Sequence, residues 1–131
     1  MIKFSHTTFY VKDVTKALKF YKDTFGFEPR FVFEGNQYAE LETGETSIAF
    51  TDQNFASAHL VKDFIKNDIN QLPFAFEIAF TVSDVKQYYD KALSVGATNV
   101  TEPMQKPWGM LAYVRDPNGV LIELASPMPM E

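Results

Sequence analysis

The chain repeats itself once. The stretch "HTTFYVKDVTKALKFY", starting at His6, returns as "EIAFTVSDVKQYYDKA", starting at Glu77. Val11-x-Asp13-Val14 recurs as Val82-x-Asp84-Val85, an offset of 71 residues from Asp13 to Asp84. Stacked repeat arrays need several copies to bury a continuous core, so two copies point to a duplicated module instead. Whatever the first half folds into, the second half is constrained to resemble.

Each copy reads the same way: an alternating strand, an Asp, then a helical pattern. Asp13 and Asp84 stand where an N-cap carboxylate accepts hydrogen bonds from the first unpaired helix N–H groups. After them, Val14, Ala17, Leu18 and Tyr21, and then Val85, Tyr88, Tyr89 and Ala92, fall at i, i+3, i+4 and i+7, the spacing of one apolar stripe. Gly26 and Gly96 follow as helix stops. Short strand-like runs come next. In the first half they are "RFVF", "QYAELE" and "TSIAFT"; in the second, "TNVTE", "MLAYVR" and "VLIELA". The order β-α-β-β-β, twice, makes the chain α+β. Module one spans about 1–53, a link with a short helix around 55–64 spans about 54–73, and module two spans about 74–131.

The turn "DPNG" has Asp first, Pro second and Gly fourth, as a type I turn prefers. It leads into an apolar strand with a carboxylate, Glu123, in its middle. An ionised group there is costly unless something compensates it. Strand parity suggests what, because alternate residues face opposite sides of a sheet. Phe9 and Val11, and in the second copy Phe76, Ile78, Phe80 and Val82, are expected to pack beneath their helices. His6, Thr8 and Tyr10, and likewise Glu77, Ala79 and Thr81, then face the open side. Matching "SIAF" to "LIEL" pairs Ala49 with Glu123. His6, Ala49, Glu77 and Glu123 are thus four repeat-equivalent positions on open faces, and three of them carry side chains that ligate metals.

Composition narrows the function classes. The 131 residues suffice for a real core, and 46% hydrophobic with 22% charged residues is ordinary for a globular protein. A net charge of −5 argues against a nucleic-acid surface, and no basic cluster reads as a membrane patch. With no Cys, disulfides, thiolate metal sites and Cys nucleophiles are excluded. "MIKFSHTTFY" lacks the apolar stretch of a signal peptide, so a cytoplasmic protein is expected.

The stretches "HTTFYVKDVTKALKFYKDTFGF" and "PWGMLAYVRDPNGVLIEL" resemble the opening strand and helix, and the closing hairpin, of the vicinal oxygen chelate superfamily. That group includes glyoxalase I, bleomycin-resistance proteins and extradiol dioxygenases. The resemblance covers nearly the whole chain. It implies paired βαβββ modules, each a curved half-barrel sheet with a helix on its convex face, and usually a homodimer. It also implies a divalent metal (Mn, Mg, Ni, Zn or Fe(II)) held by His6, Glu77 and Glu123. His6 matches the first-strand His of the family and Glu123 its closing-strand Glu. Two positions depart from type: Glu77 lies where a His is more common, and Ala49 lies where glyoxalase I has a second Glu. On this resemblance the protein would be a small metal-dependent enzyme of lyase or isomerase type. Its substrate would carry vicinal oxygens, and Glu77 or Glu123 would move the proton. Tyr10, on the open face of His6, and Trp108, in a loop expected near the cup mouth, are candidate substrate-binding residues. The competing function is non-catalytic binding of a small molecule or drug, of the bleomycin-resistance type; the competing structure is a His–carboxylate hydrogen-bond cluster without metal. His59 reads as a solvated link residue, and Glu40, Glu42 and Glu45 as hairpin surface charge.

Overall fold

The computed structural model describes residues 1–127 and divides into two compact units, the first Met1–Asn67 and the second beginning at Asp68. In the first unit, β1 (His6–Val11) leads into α1 (Val14–Phe25), then β2 (Pro29–Val32), a single helical turn at Glu34–Asn36, β3 (Tyr38–Leu41), β4 (Ser47–Asp52) and α2 (Gln53–Leu60). In the second, β5 (Ile78–Thr81), α3 (Val85–Ser94), β6 (Thr98–Lys106), β7 (Gly109–Arg115) and β8 (Leu121–Ala125) repeat the βαβββ order. The duplicated α+β plan is therefore present.

Each unit holds one mixed four-stranded sheet, ordered β1-β4-β3-β2 and β5-β8-β7-β6. In both, the first strand runs parallel to the last, and the remaining pairs are antiparallel. Neither sheet closes, since β1 and β2, and β5 and β6, are left as edges.

Both long helices start as the caps require. The Asp13 carboxylate accepts from the Lys16 N–H at 3.0 Å, and Asp84 from Gln87 at 3.1 Å. Gly26 ends α1 in the left-handed region at φ 77°, where a Cβ would be strained. Phe9, Val11, Val14, Ala17, Phe20, Tyr21 and Phe50 make the first core; Val85, Tyr89, Ala92, Val114, Ile122 and Leu124 the second.

Two expectations need correction. The link helix is Gln53–Leu60, not 55–64. It starts early because Asp52 caps the N–H groups of Asn54 and Phe55, and it stops when Val61 turns left-handed. Phe76 is not beneath α3 but 47% exposed. The parallel ladder begins at Ile78 opposite Ile122, and β8 itself begins only at Leu121, so pairing cannot extend back to Phe76.

Candidate functional site

The open face of the second sheet is set by register. In β8 the helix side carries Ile122 and Leu124, both fully buried, while Leu121, Glu123 and Ala125 alternate onto the other side, half-buried. Glu123 lies opposite Ala79 on β5 and opposite Tyr113 on β7. Tyr113 lies in turn opposite Thr101 on β6. The strand thus tolerates its central carboxylate because Glu123 never enters the apolar layer.

Glu77 precedes β5 by one residue and shares the parity of Ala79, so it reaches the same face. Its carboxyl stands within hydrogen-bonding reach of Glu123. That hydrogen bond, then desolvation, then the like charge of Glu123, raise the Glu77 pKa from the usual carboxyl range to about 7. The Tyr113 hydroxyl is also raised, first by burial and then by the charges of Glu123 and Glu77. Two carboxylates side by side repel unless a proton or a cation sits between them. Near neutrality this pair is poised to hold one or exchange it.

The first sheet carries the same row without the acid. Thr8 lies opposite Ala49, the register that Ala79 has with Glu123, so the equivalence of Ala49 and Glu123 holds residue for residue. Ala49 is fully buried and offers no ligand. Opposite it stands Glu40, on β3. Glu40 is not hairpin surface charge, as its sequence context suggested: its side chain is only 14% exposed, and it accepts a hydrogen bond from the Tyr38 hydroxyl at 2.7 Å. The signal was the alternation in "YAEL", which puts Tyr38 and Glu40 opposite buried Ala39 and Leu41. Glu42 is a surface charge, gripped by Arg30 at 2.7 and 3.0 Å.

The remaining candidates fall differently. His6 opens β1 opposite Ser47, exposed, with its Nδ1 2.8 Å from the Ser5 hydroxyl. It belongs to the first unit; Glu77, Glu123 and Tyr113 belong to the second. Tyr10 meets the ring of Phe64 edge-on at 4.9 Å, and its carbonyl accepts from the Asn67 amide, so the link partly covers it. Trp108 sits in the two-residue turn between β6 and β7, half exposed. It is five residues along the chain from Tyr113, about 16 Å of strand. The His59 ring meets that of Phe55 at a tilt of 51°, centroids 4.3 Å apart, and its Nδ1 lies 3.1 Å from the Phe55 carbonyl within α2.

As for a metal, the donor chemistry fits in part. Glu77 and Glu123 are paired oxygen donors of the kind hard divalent ions prefer. Among the described residues, no group of three or more His, Cys, Asp or Glu side chains is assembled as a metal site.

Residues 3–124 match the model of the Glyoxalase/Bleomycin resistance protein/Dioxygenase superfamily. The chain belongs to that superfamily. It is 30% identical to the uncharacterised protein YraH of Bacillus subtilis over 116 residues, covering 87% of this chain and 90% of that protein. It is 32% identical to a probable lactoylglutathione lyase of Synechocystis over 125 residues, 91% of each. Among solved structures it resembles a glyoxalase-related enzyme from Fulvimarina pelagi at TM-score 0.82 and 18% identity. That match covers 97% of this chain and 89% of that one, and shows a shared fold. No helix among the described residues is long and apolar enough to cross a membrane.

Proposed function

We propose that this glyoxalase-superfamily protein is a small metal-dependent enzyme of lyase or isomerase type, acting on a small substrate with vicinal oxygens. The observation that carries the reading is the pairing of Glu77 with Glu123 on the open face of the second sheet, beside Tyr113. Glu77 and Glu123 are the residues that would hold a divalent ion. Such an ion would supply positive charge to the substrate's oxygens. A carboxyl with a pKa near neutrality is suited to take a proton from carbon and return it, because general acid–base efficiency peaks when the group titrates near working pH. Tyr113, beside Glu123, offers a hydroxyl to orient that carboxylate or a substrate oxygen.

The test is exchange of carbon-bound hydrogen for deuterium. A panel of small α-hydroxycarbonyl compounds and their thiol adducts in D2O, followed by NMR, should show catalysed exchange in at least one member. Glu77→Gln should abolish it. No exchange in any member, with manganese, nickel or zinc supplied, would contradict the reading.

One observation favours non-catalytic binding: Ala49, fully buried, takes the place where a second carboxylate would stand. In that case the carboxyl pair would contribute charge for a cationic small molecule and no turnover.

A further inference from the structure

Glu77 stands where the ladder does not hold it. Pairing of β5 with β8 begins at Ile78 opposite Ile122, and Ala79 lies opposite Glu123. Glu77 is one residue outside that pairing, yet its carboxyl lies beside the carboxyl of Glu123. The two acids repel whenever both are ionised. The free end of β5 is then pushed off the sheet unless the chain before it is anchored. Residues 72–77 form neither helix nor strand, and Leu72, Phe74 and Phe76 are all exposed, so burial does little to fasten this stretch. It is stiffened from within: Pro73 has a fixed φ and biases Leu72 towards extended backbone, and Phe76 donates its N–H to the Phe74 carbonyl at 2.8 Å. A stiff tether transmits an anchor placed at its far end.

That anchor is Arg115, on β7. Its Nε donates to the Gly119 carbonyl at 2.9 Å, Nη1 to the carbonyls of Ile69 at 3.2 Å and Gln71 at 2.7 Å, and Nη2 to that of Asp68 at 3.2 Å. Three of the four acceptors thus belong to one turn, residues 68–71. The turn is closed on itself: the Gln71 N–H donates to the Asp68 carbonyl at 3.0 Å, and the Asp68 carboxylate accepts from the Asn70 N–H at 2.9 Å. Arg115 lies opposite Leu121, and Tyr113, two residues earlier, lies opposite Glu123. The guanidinium therefore starts from the open face, one row along from the carboxyl pair. A planar fork of donors can meet four carbonyls at once; the single ammonium of a lysine cannot. Six residues beyond the clamped turn comes Glu77.

We propose that Arg115 is a positioning residue for the carboxyl pair: by clamping the turn 68–71 against β7 it fixes the approach to β5 and keeps Glu77 against Glu123. The proposal rests on the reading of Glu77 and Glu123 as the working groups of the site. Arg115 acts on that site through Glu77, its own donors being engaged by the backbone.

Amide relaxation by NMR tests this with neither metal nor turnover, so it stands or falls separately from the proposed chemistry. In the wild type the Glu77 amide should have an order parameter of about 0.85, matching Phe80 and Leu124 within the ladder. Arg115→Lys keeps the charge and loses the fork. In it Glu77 should fall below about 0.6 while Phe80 and Leu124 stay rigid. A second variant leaves Arg115 untouched: two glycines inserted between Leu72 and Pro73, where Leu72 is 89% exposed, slacken the tether. It should loosen Glu77 in the same way while Ile69 and Gln71 stay rigid, and it serves alone if Arg115→Lys does not fold. A Glu77 amide that is mobile in the wild type, or that stays rigid in the folded variants, would overturn the proposal. So would a loss of order in Arg115→Lys spread evenly over β5 and β8, which is what a merely structural role produces.

Discussion

The carboxyl of Glu77 lies beside that of Glu123 and has its pKa raised by it, across the seam where the first strand of the second module runs parallel to its last. Nothing in the apolar layer beneath needs those two acids. The contact places two like charges together on the open face, an arrangement that costs stability unless a proton or a cation intervenes.

This contact makes stability depend on pH in a specific direction. The Glu77 carboxyl is raised from 4.5 to about 7 in the folded chain. Between those values the folded chain holds a proton that the unfolded chain has released, so stability falls as pH rises through that window. Thermal melts from pH 4.5 to 8 should show the decline, and Glu77→Gln should flatten it. An identical slope in the variant would mean that other groups set the dependence.

The protein should not isomerise the hemithioacetal of glutathione and methylglyoxal at the rate of a dedicated enzyme. Ala49 holds the strand position that Glu123 holds in the second module, and it brings no carboxylate there. A steady-state assay with metal-loaded protein checks this, and robust turnover would refute the role given to Ala49.

Arg115 should be worth more to folding than its surface location in "RDPNG" suggests. It is nearly buried and donates to the carbonyls of Gly119, Ile69, Gln71 and Asp68, at 2.7 to 3.2 Å. It therefore ties the segment that precedes β5 to the turn that precedes β8. Gly119 is required there, because a Cβ would lie 2.7 Å from the guanidinium and 3.1 Å from the Asp68 backbone. Arg115→Met should cost about 3 kcal/mol in urea unfolding, since one buried and three part-buried carbonyls lose a charged donor. A loss below about 1 kcal/mol would show that water replaces it.

A homodimer is expected, because each sheet leaves its edges unpaired and apolar side chains stand exposed on the outer strands, among them Val32, Val100 and Met104. Light scattering at micromolar concentration should report twice the mass of the chain. A monomer would require any site to be complete without a second copy.

Much of this was legible in the residues because parity survives without knowledge of the fold. The 71-residue offset and the alternation in each strand put Glu77 and Glu123 on one face, and the observed register of Ala79 with Glu123 repeats that of Thr8 with Ala49. Alternation misled where it outran pairing: "FAFEIAF" continues the pattern back to Phe76, yet β8 starts too late to hold that part of the chain. Glu40 was missed for the opposite reason. Three acids in "ELETGE" look like a solvated hairpin, and only the buried Ala39 and Leu41 on the other side of β3 show that Glu40 faces inward on the open side while Glu42 escapes to Arg30. Tyr113 carried no signal of its own until the register placed it opposite Glu123.

The central claim is that Glu123 serves a ligand on the open face and not the core. Calorimetric titration of the wild type and of Glu123→Gln with manganese, nickel and zinc tests it most directly. The amide keeps the size and shape of the side chain but lacks the charge a divalent ion needs. The wild type should bind at least one of the three ions. Glu123→Gln should bind it about tenfold or more weakly while melting no lower than the wild type, because the change also relieves the repulsion with Glu77. Equal affinity in the two proteins, or no binding by the wild type, would contradict it.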